Sequence, residues 1–197
     1  MSSTDYIVHG PATLWRAPVG EALPADTVGA GTAWGGNWTQ LGWTEAPLKF
    51  TFTKNKAQGK IQEANAPVKE WVNDEAIEWE VTLAEETNAN LQYAIGGTLT
   101  TQAADATHHA YTDLVSGGEQ DITPYTWGFE WINTVSSLDQ PVRMQIYKGT
   151  CIAGTPLELD KGKQSAITLK GSGWEDMTKT KGQRLYKIHH ITADPTA

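Results

Sequence analysis

Residues 75–97 read EAIEWEVTLAEETNANLQYAIGG, and the change of period halfway along this stretch decides the fold class. Over 75–83, Ile77, Trp79, Val81 and Leu83 occupy one face while Glu78, Glu80 and Thr82 occupy the other. That two-residue alternation is the pattern of a half-buried β-strand. A helix is predicted to follow, over about residues 83–95. Thr82-Leu83-Ala84-Glu85 matches a capping box, with Thr82 at the N-cap and Glu85 three residues on. Glu85 and Glu86 then fall in the first turn, where the helix dipole favours negative charge. Leu91, Ala94 and Ile95 make a short apolar stripe at i, i+3 and i+4. Gly96 is placed to adopt the left-handed conformation that ends a helix.

Outward from this stretch nearly everything reads as strand and turn. LKFTFTKN (48–55) alternates Leu48, Phe50 and Phe52 against Lys49, Thr51 and Thr53. TPYTWGFEWIN (123–133) carries an aromatic face of Tyr125, Trp127, Phe129 and Trp131. PVRMQIYKGTCIAG (141–154) sets Val142, Met144 and Ile146 against Arg143, Gln145 and Tyr147. ATLWRAP (12–18), WTQLGWTEAP (38–47), SAITLKGSGWED (165–176) and RLYKIHHITAD (184–194) complete the strand series. Short strands between regular turn signals, with one helix, predict a mainly β fold: an antiparallel sandwich or barrel flanked by one α-helix. Residues 98–122 are poor in bulky apolar groups and carry no clear assignment.

Two segments stand apart. Residues 19–37 are rich in Gly, Ala and Pro and have no period. They predict a long loop, the kind that in compact domains is functional or interface-forming. Residues 54–66 hold a turn signal but few apolar side chains, so a hairpin there is predicted to project from the body.

The 197 residues suit a single domain spanning 1–197, since β-sandwiches often reach about 200–250 residues as one unit. Cys151 is the only cysteine, which excludes an intrachain disulfide and fits a reducing compartment. The start MSSTDYIVHG lacks the charged and apolar regions of a signal peptide. No window approaches the roughly 20 apolar residues of a membrane helix. The net charge of −8 is uneven: residues 1–142 hold 6 basic and 18 acidic side chains, residues 143–197 hold 9 and 5. So acidic a chain is poorly suited to gripping phosphates, while the asymmetry allows head-to-tail association.

The sequence offers no catalytic constellation, and no cofactor is expected. His108-His109 and His189-His190 are adjacent pairs, whose side chains diverge on a strand and do not chelate readily. Gly171-Ser172-Gly173 lacks the context of a nucleophile elbow, and Gly29-Ala30-Gly31 lacks the third glycine of a dinucleotide loop. Cys151 reads as a small buried hydrophobe. WGGNW (34–38) and WGFEW (127–131) offer either a sugar-stacking platform or aromatic packing.

Taken together, ATLWRAPVGEALPAD (12–26), the Gly-rich loop, WTQLGWTEAPLKFTF (38–52), EWEVTLAEETNANLQYAIGG (78–97), LELDKGKQSAITLKGSGWED (157–176) and RLYKIHHI (184–191) resemble the tail tube (major tail) proteins of long, flexible-tailed bacteriophages. The resemblance covers residues 12–97 and 141–190 and leaves 98–122 unmatched. It implies a structural virion protein, not an enzyme, made in the host cytoplasm. Its fold would be a β-sandwich with one flanking helix. Six copies would form a ring with their sheets joined edge to edge, and rings would stack into a hollow tube. The implied partners are further copies of the chain, the tape measure and tail terminator proteins, and genomic DNA passing through without specific binding. No membrane is involved. On this reading Glu78 and Glu80 face the lumen as acidic girdles, and Lys56, Gln58 and Lys60 on the hairpin contact the next ring. A carbohydrate-binding β-sandwich is the alternative, as is the tube protein of a contractile tail or type VI secretion-like system.

Overall fold

The computed structural model describes residues 8–45, 47–62, 66–85, 87–118, 121–135, 138–151 and 166–192. Glu86, residues 63–65 of the expected hairpin, 152–154 and 165 of the expected strands, and 193–194 lie outside the described residues.

The chain is mainly β, with ten strands and one helix among the described residues. The first, β1 (Val8–Ala17), is paired on one edge by the two-residue β2 (Thr39–Gln40) and on the other by β7 (Tyr125–Val135). Antiparallel to β7 runs β8 (Leu138–Cys151). The other edge of β8 is shared: β10 (Tyr186–His190) pairs with Val142–Ile146, and β9 (Ile167–Gly173) takes Gly149–Cys151. Beyond β9 come β4 (Lys69–Leu83) and then β3 (Lys49–Gly59).

Only three residue pairs join β8 to β9, and there the sheet turns back on itself. Its two halves meet face to face through aromatic side chains. Trp79 on β4 packs against Trp127 and Phe129 on β7, with centroids 4.7 and 5.4 Å apart, and Phe50 on β3 meets Phe129 at 4.9 Å. Ile77, Val81, Leu83, Met144, Ile146, Ile167 and Leu169 fill the same core. These are the alternating apolar positions of their strands, so the pattern that predicts each strand also aims its core face. Close packing explains Gly171: a Cβ there would lie 2.2 Å from the Trp79 ring.

The helix α1 (Asn88–Ile95) is shorter than expected and starts later. Thr82 is not its cap. Residues 78–83 pair with β9 down to Leu83↔Ile167, and Thr82 Oγ1 lies 3.2 Å from Thr168 Oγ1. Burying Val81 and Leu83 while completing a sheet ladder outweighs a local capping signal, whose worth is about 1 kcal/mol. Thr87 is the N-cap instead, its hydroxyl accepting from Asn90 N at 3.1 Å. Glu85 therefore precedes the helix, and no described acidic residue lies in the first turn. Gly96 does end the helix, at φ 74°, its N–H donating to Gln92 O at 2.8 Å. Leu91 and Ala94 pack on the core, whereas Ile95 stays 47% exposed and is not part of the buried stripe. Thr87→Ala should cost about 1 kcal/mol through the lost cap. Gly96→Val should cost more, since a β-branched residue is strained at positive φ. Chemical denaturation of the two variants checks the order.

One further segment departs from expectation, and one left unassigned takes a defined form. Of the strand expected over 38–47 only β2 and an isolated bridge, Thr44↔Leu83, form. Residues 98–122 contain a separate hairpin, β5 (Thr98–Gln102) with β6 (Tyr111–Val115), packed beside α1. Its low apolar content fits strands that cover a helix and do not enter a core.

Candidate functional site

The loop over 19–37 packs on its own domain. It lies across the outer face of β1, β7 and β8, where Trp15, Ala17, Trp34 and Trp38 make a second core. Trp34 stacks on Trp15 at 5.2 Å and meets Trp38 edge-on at 4.9 Å. Trp34 Nε1 donates to Glu130 Oε2 at 3.1 Å, and Gly31 N donates to Glu130 Oε1 at 2.9 Å. Arg143 Nε donates to the same carboxylate at 2.8 Å, while its two terminal nitrogens donate to Ala25 O and Val28 O. Both charged side chains are fully buried. Gly128 is needed beneath this loop, because a Cβ would stand 2.3 Å from the Trp34 ring. Sequence periodicity sets Arg143 on a polar face but gives no sign that the loop folds down to bury it.

This arrangement decides the tryptophan question for both motifs. Trp34 is 1% exposed, Trp38 and Trp127 are buried, and Trp131 packs against the main core. Trp34, Trp38 and Trp127 therefore present no open face to a sugar, and Trp131 is only partly buried. Among the described residues Trp43, at 76% exposure, Trp71, at 46%, and Trp174, at 39%, are the open ones.

Glu78 and Glu80 lie on the polar face of β4, side by side with β3 and β9. They line a shallow surface depression with Lys49, Thr51, Thr150, Lys170 and Ser172. Lys49 is the cross-strand partner of Glu80, and Lys170 Nζ lies 3.4 Å from Glu80 Oε2. The face is therefore charge-balanced and rich in hydroxyls, where the alternation of β4 alone predicts an acidic one. The lysines come from strands distant in sequence.

The β3–β4 hairpin is paired as far as Gly59↔Lys69. Since β9 accompanies β4 only over Glu78–Leu83, the outer half of the hairpin is a two-stranded ribbon with no further sheet neighbour. Seven residues from Thr53 to Gly59 at ~3.3 Å each make it about 20 Å long. Its core-side face switches from Phe50 and Phe52 to Lys54, Lys56 and Gln58 where the opposite sheet ends. Lys54 pairs with Glu75 at 3.1 Å, and Glu70 takes both Lys56, at 3.7 Å, and Gln58, at 2.7 Å. Lys56 and Gln58 are thus engaged across the ribbon, and Lys60 is exposed at its end.

The histidines do not converge. His108 caps a turn at the β5–β6 tip with Asp105, whose carboxyl is held below its ordinary range mainly by the Thr107 N–H and hydroxyl. His189 contacts Asp26 at 3.0 Å on the far side of the domain. Among the described residues no group of three or more His, Cys, Asp or Glu is arranged to hold a metal. Burial pushes the Cys151 thiol up to about 12, too high for a thiolate nucleophile at neutral pH. No helix among the described residues is long and apolar enough to cross a membrane. No protein-family model matches the chain, and no curated protein matches it.

Proposed function

We propose that this protein is a tail tube subunit of a long, flexible-tailed bacteriophage, a structural virion protein whose rings of six stack into a conduit for DNA. The observation that carries the reading is the distribution of sheet edges. The outer edges of β3 and β10 are unpaired among the described residues, and they lie one above the other, Phe52 meeting Tyr186 at 5.2 Å. At the opposite flank α1 packs against β9. The flank of β9 is thus covered by α1, β3 and β10 present open edges that lie together, and the short β2 covers only Trp15 and Arg16 at the far end of the sheet. An open edge invites pairing and must be managed; closure of a ring satisfies it with a neighbour's edge. Lysines 49, 54 and 56 along β3 guard against unspecific pairing until then. The ribbon is then the arm that reaches the next ring.

Negative-stain microscopy of the purified protein tests this: rings or tubes are expected, and a uniformly monomeric sample would overturn it. A contractile-tail or secretion tube protein would also give rings.

In such a tube the hydroxyl-rich face bearing Glu78 and Glu80 suits the lumen, because its balanced charge offers DNA no basic track. Glu78→Lys with Glu80→Lys leaves only lysines among its charged groups. Rings should still form, but DNA ejection should slow, most strongly at low salt where screening is weakest. Normal ejection in low salt would move these carboxylates away from the channel.

A further inference from the structure

At the α1 end of the main core a cation stands without an anion. Leu14 and Arg16 share the inner face of β1, since Trp15 and Ala17 take the outer one. Leu14 is buried, whereas Arg16 is half-buried at the rim. The Arg16 guanidinium carbon lies 4.0 Å from the ring centre of Tyr93 on α1 and 4.3 Å from that of Tyr125 on β7. Both tyrosines pack against the core, so the fold sets where their rings stand.

Two rings at stacking distance take up the faces of a planar guanidinium and leave its edge of N–H donors. There are five such donors. Among the described residues none of them has an acceptor: Arg16 makes no hydrogen bond and no ion pair, and its Nε is buried without a partner. The other two arginines of the chain are both paired, Arg143 with Glu130 and Arg184 with Glu175. The hydroxyls of Tyr93 and Tyr125 also lack a hydrogen-bond partner among the described residues. A buried donor left unpaired is costly, and each one in a native fold calls for an acceptor from outside the chain.

We propose that Arg16 is the centre of an oxyanion-binding site that takes one phosphate or carboxylate group, with the rings of Tyr93 and Tyr125 as its walls. The guanidinium fork matches two oxygens of either group. The stacked rings hold that fork in place beforehand, so little side-chain freedom is lost on binding. The two phenol hydroxyls are further donors nearby. One isolated cation offers no track for a nucleic acid, which needs a row of them; it suits a single anionic group. Arg16, Tyr93 and Tyr125 belong to β1, α1 and β7, so the bound anion ties the helix to two strands of the sheet. This inference does not depend on the tube reading.

Equilibrium dialysis of the full-length protein against radiolabelled orthophosphate, and in parallel against labelled acetate, at constant ionic strength tests the site. One saturable site per chain is expected, with a dissociation constant on the order of 1 mM, as two charge-assisted hydrogen bonds give. The ion that binds more tightly identifies the group. Arg16→Gln should abolish binding. Arg16→Lys keeps the charge but loses the fork and the stacking, and should weaken binding about tenfold or more. Circular dichroism of both variants establishes that they are folded. Failure of the unaltered protein to bind either ion saturably would overturn the site and leave water as the partner of Nε. Binding retained at full strength in both variants would overturn it as well, by moving the anion elsewhere.

Discussion

Arg143→Met should lower the unfolding free energy by about 3–5 kcal/mol, the usual cost of leaving one partner of a buried ion pair unpaired. The size follows from what Arg143 does. It neutralises Glu130, and it supplies the hydrogen bonds for Ala25 O and Val28 O, so one deletion orphans a charge and two carbonyls. Glu130→Gln in the same chain should recover part of the loss, because the amide carries no charge and its single oxygen can still accept from one of the two donors, Trp34 Nε1 or Gly31 N. Urea unfolding of the single and double variants measures the coupling. Trp34 fluorescence reports whether the 19–37 loop lifts in the single variant. A loss under 1 kcal/mol would show that the loop finds its place without the pair.

Deleting residues 56–62 should abolish tube formation while leaving a folded subunit. The ribbon beyond Phe52 and Ile77 adds nothing to either core, and its ion pairs are exposed, where each contributes little. The thermal midpoint should therefore fall only slightly. Assembly is a different matter, because the deletion removes the only described element that stands clear of the body on two strands. Rings without tubes are the expected micrograph. Tubes of normal length from the deleted chain would show that stacking uses other surfaces.

Much of the fold is legible in the sequence, because a strand's own alternation reports which of its faces is buried. Ile77, Trp79, Val81 and Leu83 all point into the core, as do Trp127 and Phe129. Gly96 ends the helix because only a residue tolerant of positive φ fits there, and that requirement is local. The loss of apolar side chains after Phe52 marks where the hairpin leaves the body, again a property of the segment itself.

What only the tertiary structure decided are the outcomes of competition between distant segments. Thr82 carries a cap signal, yet pairing with β9, some 85 residues away, keeps it in the strand and hands the cap to Thr87. Glu78 and Glu80 read as an acidic face until Lys49 and Lys170 arrive from neighbouring strands. The loop at 19–37 reads as functional or interface-forming, but it is bound to its own domain through Glu130 and Arg143, which stand more than 90 residues further on. Periodicity reports which side of a strand is buried. What lies against that side, and which charges meet there, depends on where the chain returns, and no local pattern encodes that.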